Sequence, residues 1–87
     1  MIKKYIKKPP VVEAVQWTGY NFDEIQDFVG FNNVYFQRMT DPPKIYVPTP
    51  EGAEYASIND YIIKFADGEV RTCGVDFFET NYEEVTE

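Results

Sequence analysis

The segment Val11-Val12-Glu13-Ala14-Val15-Gln16-Trp17 constrains this chain more than any other. It is rich in β-branched residues and free of breakers, so it reads as a strand. Pro9-Pro10 ahead of it fixes an extended approach and forbids a helix, and Thr18-Gly19 ends it. Alternation puts Val11, Glu13, Val15 and Trp17 on one face and Val12, Ala14 and Gln16 on the other. Both faces are largely apolar, which places this strand at the centre of a sheet.

Asn21-Phe22-Asp23-Glu24 opens a short amphipathic helix over 22–29. Asn21 is the expected N-cap, with Glu24 three residues on as in a capping box. Phe22, Ile25, Phe28 and Val29 share one face, and Gly30 suits the position after the last turn. Two turns of helix do not stand alone in water, so the apolar stripe must pack on a sheet.

The rest of the chain has strand character. Asn33–Arg38 and Lys44–Pro48 are separated by Asp41-Pro42-Pro43, which cannot be sheet interior. A turn at Pro48–Gly52 leads to a weaker strand over Glu54–Ile58, and Asn59-Asp60 turns again. Tyr61–Phe65, Asp67-Gly68 and Glu69–Cys73 form the clearest hairpin, read as a type I′ turn. Val75–Glu79 reads as one helical turn and Tyr82–Val85 as a closing strand. The expectation is an α+β fold of five or six short, mostly antiparallel strands in a strongly bent sheet or small open barrel, with one short helix. With 87 residues the chain makes a single domain over 1–87, residues 1–8 being a basic segment that leads into the first strand.

Charge and composition exclude several functions. Against 15 Asp and Glu stand 8 Lys and Arg, a net charge of -7, and four of the eight cations precede residue 9. Tight duplex nucleic-acid binding is therefore not expected. There is no histidine, which removes His-based triads and metal ligands, and Cys73 is the only cysteine, so no disulfide closes within the chain. No apolar run approaches a membrane span, and the basic N-terminus lacks the apolar stretch of a signal peptide, so a cytoplasmic protein is expected.

The opening Lys7-Lys8-Pro9-Pro10-Val11-Val12-Glu13-Ala14-Val15-Gln16-Trp17-Thr18-Gly19 resembles that of a widespread group of small phage and prophage proteins of unknown function, Lys-Lys-Pro-Val-Val-Val-Glu-Ala-x-Gln-Trp-Thr-Gly. Asp60-Tyr61-Ile62-Ile63-Lys64, Gly68-Glu69, Cys73, Phe78-Glu79 and Tyr82-Glu83 are similar to the same family's ending. Pro10, Asn59 and Gly74-Val75 depart from its pattern, which has Val, Gly and Lys-Pro there. The resemblance implies a phage source and action inside a bacterial host, and it supplies no catalytic residues.

Candidate sites follow from residue chemistry. Lys7 or Lys8 with Lys64 or Arg71 would hold a phosphate, and Trp17 or Tyr61 would stack on its base. The plainer readings are core packing for Trp17 and hairpin ion pairs for Lys64 and Arg71. Cys73 has no histidine to activate it and reads as a small core residue. Asp60, Glu69, Asp76 and Glu79 match no metal-loop spacing and read as a solvated rim. The tyrosines at 20, 35, 46, 55, 61 and 82 outnumber what a small core needs, so some must reach the surface as interface residues. Tyr82 with Glu79, Glu83 and Glu84 is the expected protein-binding surface. These features favour a non-enzymatic binding protein without a cofactor, aimed at a host immune protein or a nucleotide second messenger. A structural or assembly accessory of the phage is the alternative, and a homo-oligomer fits either.

Overall fold

The computed structural model describes residues 2–6, 11–30, 34–37 and 42–85. Over these residues the chain is an α+β fold with eight strands and two helices in the order β1 (Lys3–Ile6), β2 (Val11–Gln16), α1 (Phe22–Val29), β3 (Tyr35–Gln37), β4 (Lys44–Thr49), β5 (Gly52–Ala56), β6 (Tyr61–Lys64), β7 (Val70–Cys73), α2 (Val75–Asn81) and β8 (Glu83–Glu84). The strands, expected as a strongly bent sheet or small open barrel, form two antiparallel sheets, neither closed. One has five strands in the order β7-β6-β2-β1-β8, the other three in the order β3-β4-β5.

β2 is central, as its two apolar faces require. Val15 and Trp17 enter one core with Ile62, where α1 contributes Ile25, Phe28 and Val29 and the smaller sheet contributes Ile45, Val47 and Ala56. Val12 and Ala14 enter a second core with Tyr61 and Ile63, closed by Phe78 of α2. The five-stranded sheet is thus covered on both faces, by α1 and the smaller sheet on one side and by α2 on the other.

The basic N-terminal segment is more than a leader. Lys3–Ile6 pairs antiparallel with Val11–Ala14 and, on its other edge, with Glu83 and Glu84. β1 therefore joins the two ends of the chain, and an ion pair of 3.2 Å from Lys3 to Glu84 spans the same seam.

α1 covers the expected residues, but its start differs from a capping box. The Asn21 side chain makes no hydrogen bond to a helix backbone N–H. Its amide donates to the Gln16 carbonyl at 2.8 Å and to the Glu24 carboxylate at 3.0 Å, while its oxygen accepts from the Thr18 N–H at 2.9 Å. Asn21 stitches the end of β2 to the helix instead of capping it, and its amide holds the Glu24 carboxyl below the ordinary range.

The β6–β7 hairpin has the expected pairing, Tyr61 opposite Cys73 through Lys64 opposite Val70. Its turn is not type I′, because Gly68 has φ 89° and Asp67 is not among the positive-φ residues. Gly68 N–H donates to the Phe65 carbonyl at 2.9 Å and Phe65 N–H to the Glu69 carbonyl at 2.8 Å. Ala66-Asp67-Gly68 is thus a three-residue loop with glycine at the one left-handed position. At Asn59, where the resembled family carries glycine, φ is 81°, a conformation asparagine tolerates better than most other side chains. Element boundaries also move, most of all in β5 and α2. β5 begins at Gly52 and ends at Ala56, and the expected single turn at 75–79 runs on to Asn81 as α2.

Candidate functional site

Two exposed surfaces stand out once the cores are filled. The first is the edge formed by α2 and β8. Phe78 is the buried residue of α2 and lies in a stack of three rings, with Tyr61 at 3.9 Å on one side and Tyr82 at 4.7 Å on the other. This anchor fixes which way the helix faces. Asp76, Phe77, Glu79, Glu83 and Glu84 are all exposed, and Phe77 keeps 57% of its surface in solvent. The Glu79 carboxylate accepts from the Tyr61 hydroxyl at 3.2 Å. From position 75 onward the chain has five acids and no base; Glu84 is paired with Lys3 of β1, while Asp76, Glu79 and Glu83 stand exposed on the same two elements as Phe77. Burial raises the Tyr82 phenol above its ordinary value, with neighbouring Cys73 adding to the shift.

The second surface is the outer face of the smaller sheet. Its inner face carries Phe36, Ile45, Val47 and Ala56 into the core. On the outer face Tyr35, Tyr46 and Tyr55 stand opposite one another across the three strands. Their rings meet edge to face, with centroids 5.7 Å apart for Tyr35–Tyr46 and 5.4 Å for Tyr46–Tyr55. Tyr35 and Tyr55 each remain 49% exposed. By alternation the same face carries Lys44, Pro48 and Ala53, and no Asp or Glu of β3, β4 or β5. Glu54, the one acid in these strands, lies in the opposite parity. It accepts from the Thr72 N–H at 2.8 Å and from Arg71 Nε at 3.0 Å. This carboxylate ties the edge strand of the larger sheet to the edge strand of the smaller one.

Among the described residues, the side chains expected to form a phosphate site do not come together. Lys7 and Lys8 lie outside the described residues. Trp17 is fully enclosed, its indole N–H donating to the Pro43 carbonyl at 3.3 Å, so it offers no face to a base. Tyr61 is buried beneath Phe78. Lys64 and Arg71 do not meet across the hairpin, because Lys64 pairs with Val70 and Arg71 with Ile63, which sends the two to opposite faces. Lys64 donates to the Phe28 carbonyl at the end of α1, 3.3 Å away, with its ammonium 5.7 Å from the Phe28 ring centre. Arg71 is held by Glu69 at 2.8 Å, Glu54 at 3.0 Å and Glu51 at 3.4 Å. The Glu69 hydrogen bond, then the charges of Glu54 and Glu51, push its guanidinium further above its ordinary value.

Of the expected protein-binding residues, Glu79 and Glu83 are exposed, Glu84 pairs with Lys3, and Tyr82 is half-buried against Phe78. Among the described residues no three Cys, Asp or Glu side chains gather as a metal site. No described helix is long and apolar enough to cross a membrane. The tyrosine ladder was expected only in part. An excess of tyrosine shows in the sequence, but which three share a face depends on pairing between strands that the sequence does not state. A groove of about 400 Å³ lies between Pro48–Pro50 and the hairpin loop 67–70. No protein-family model, no curated protein and no solved structure matches this chain.

Proposed function

We propose that this chain is a small phage-encoded binding protein without catalytic activity, which acts in the cytoplasm of a bacterial host by inhibiting a host immune protein. The observation that carries the reading is the exposed α2–β8 edge, where Asp76, Phe77, Glu79 and Glu83 are all open to solvent. A negative surface that also bears an exposed aromatic ring complements a basic protein surface, such as a nucleic-acid channel. It gives fast, salt-sensitive association, with an apolar anchor to slow release. The phage source rests on the opening and closing motifs. Inhibition of a protein is favoured over sequestration of a nucleotide because Arg71 is engaged by three carboxylates, Lys64 by the Phe28 carbonyl, and Trp17 is enclosed.

The test is phage plating on a bacterium that carries an active defence system. Expression of the wild-type chain is expected to restore plaques, and Glu79→Gln with Glu83→Gln is expected to lose most of that effect while remaining folded. Equal rescue by the variant would remove the acidic edge from the reading. If deleting the gene from the phage abolishes virion yield on a host without defences, the chain is an assembly accessory instead. Calorimetry against cyclic and linear nucleotides is expected to show nothing tighter than about 100 μM, or ~-5.5 kcal/mol.

A further inference from the structure

We infer that the outer face of the three-stranded sheet, together with the groove at its Pro48 end, binds an extended, proline-containing segment of another protein that carries a basic side chain. The inference does not rest on the acidic edge of α2 and β8 and goes beyond it.

Pro48 joins the two parts. It shares the outward parity of Tyr46 on β4, and it also lines the groove of about 400 Å³ together with Pro50, Asp67 and Glu69. The surface therefore runs from three rings, through a proline, to two carboxylates. Glu69 is engaged by Arg71, but Arg71 also serves Glu51 and Glu54. Asp67 accepts the Glu69 N–H through one carboxylate oxygen and is in no ion pair among the described residues. Four carboxylates thus stand at this end against one guanidinium, so the local charge is negative. Lys44 stands at the opposite end of β4. The complement of the groove end is a cation, and its apolar walls, Pro48, Pro50 and Val70, suit the methylene stem of an arginine or lysine.

The rings set the rest of the ligand. Tyr35 and Tyr55 are half in solvent and pack edge to face on Tyr46. Aromatic surfaces take proline-rich segments because the polyproline helix is already extended, so little ordering entropy is lost on binding. That helix has no internal hydrogen bonds, and its carbonyls are open to donors. Among the described residues the hydroxyls of the three tyrosines have no hydrogen-bond partner, so all three are free to donate. Tyr46 to Pro48 is two residues along β4, about 7 Å. Two residues of a polyproline helix cover about 6 Å. Prolines over the rings therefore place a side chain two or three residues further on above the groove.

Size agrees with a peptide. Three strands about 4.8 Å apart and about 17 Å long give a plan area of roughly 250 Å², well below the roughly 800 Å² a side of a standard interface between globular partners. Nucleic acid is disfavoured by the negative groove end.

Titration of the isotope-labelled full chain with the capped peptide Ala-Pro-Pro-Ala-Pro-Ala-Arg-Ala, followed by amide NMR shifts, tests this. Amides of β4, β5 and the loop 67–70 are expected to move, with Kd below about 1 mM, and binding is expected to weaken as salt rises. Glutamate in place of the arginine is expected to weaken binding about tenfold or more. Asp67→Asn keeps an acceptor for the Glu69 N–H and is expected to weaken it about two- to fivefold. The Tyr35→Ser, Tyr55→Ser double variant is expected to lose binding, with near-ultraviolet circular dichroism showing an intact core. Glu79→Gln with Glu83→Gln is expected to bind like the wild type, so failure here and failure of the inhibitor reading are separable. The inference is overturned by no binding below about 1 mM, by equal binding of the glutamate peptide or of one with glycine for proline, or by shifts confined to α2 and β8. If dilution of the free chain moves the same amides, a second copy occupies the face and the inference falls as well.

Discussion

The two sheets of this molecule are built from similar residues and end in different situations. The five-stranded sheet is covered on both faces, and its central strand feeds two cores, one through Val15 and Trp17 and the other through Val12 and Ala14. Among the described residues the three-stranded sheet is packed through its inner face. Its outer face keeps Tyr35 and Tyr55 half in solvent, with the less exposed Tyr46 between them edge to face against both. Aromatic residues therefore do two jobs. Trp17, Phe28 and Phe78 hold the fold, while Tyr35 and Tyr55 are available to something outside it.

The sharpest way to test that contrast is to remove one aromatic from each side. Trp17→Ala empties a fully enclosed site and is expected to cost about 3–5 kcal/mol in urea unfolding. That is enough to unfold a large fraction of so small a domain. Tyr46→Ser removes two cross-strand ring contacts on the open face, each worth about 0.2–1 kcal/mol, and leaves no cavity. Similar losses from the two changes would mean that the two faces are not the different environments described.

A smaller effect is expected where the sheets are joined. Glu54 accepts from the Thr72 N–H and hydroxyl and from Arg71, so it is the clasp between β5 and β7. Glu54→Ala should cost about 1–2 kcal/mol, since a partly buried backbone donor loses its acceptor. Hydrogen exchange should show the loss in the amides of β5 and β7 before those of β2. Uniform loss of protection would indicate that the two sheets open as one unit.

The smallest effect concerns pH. Burial raises the Tyr82 phenol above its ordinary value of 10.0. A group whose pKa is raised by folding favours the folded state fully below its unfolded value. That contribution is lost as the pH rises through the folded one. Stability should therefore decline above about pH 10, and Tyr82→Phe should make that decline shallower. An identical slope in the two proteins would place Tyr82 in solvent, away from the Phe78 stack.

How much of this was legible beforehand differs from element to element. α1 was readable because Phe22, Ile25, Phe28 and Val29 recur with the helical period inside a single stretch. The β6–β7 pairing was readable because the glycine that reverses the chain lies within it. The type of turn was not, since a two-residue and a three-residue loop around Asp67-Gly68 give the same strand pairing and differ only in backbone angles. The separation of Lys64 from Arg71 has a reason of parity. Lys64 and Arg71 flank one turn, and a register that places Ile63 opposite Arg71 sends them to opposite faces. The excess of tyrosine was visible, but its gathering into a ladder was not.

By itself the sequence determined what depends on neighbours along the chain. That includes the two apolar faces of Val11–Trp17, the amphipathic helix, the hairpin, and a net charge of -7. The tertiary structure decided what depends on residues far apart in the chain. It recruited Lys3–Ile6 as a strand between Val11–Ala14 and Glu83–Glu84, split the strands between two sheets, and put Tyr35, Tyr46 and Tyr55 on one open face. The physical reason is that local propensity is set within a few residues. Partner and register are set by which arrangement buries the most apolar surface while every strand keeps its hydrogen bonds.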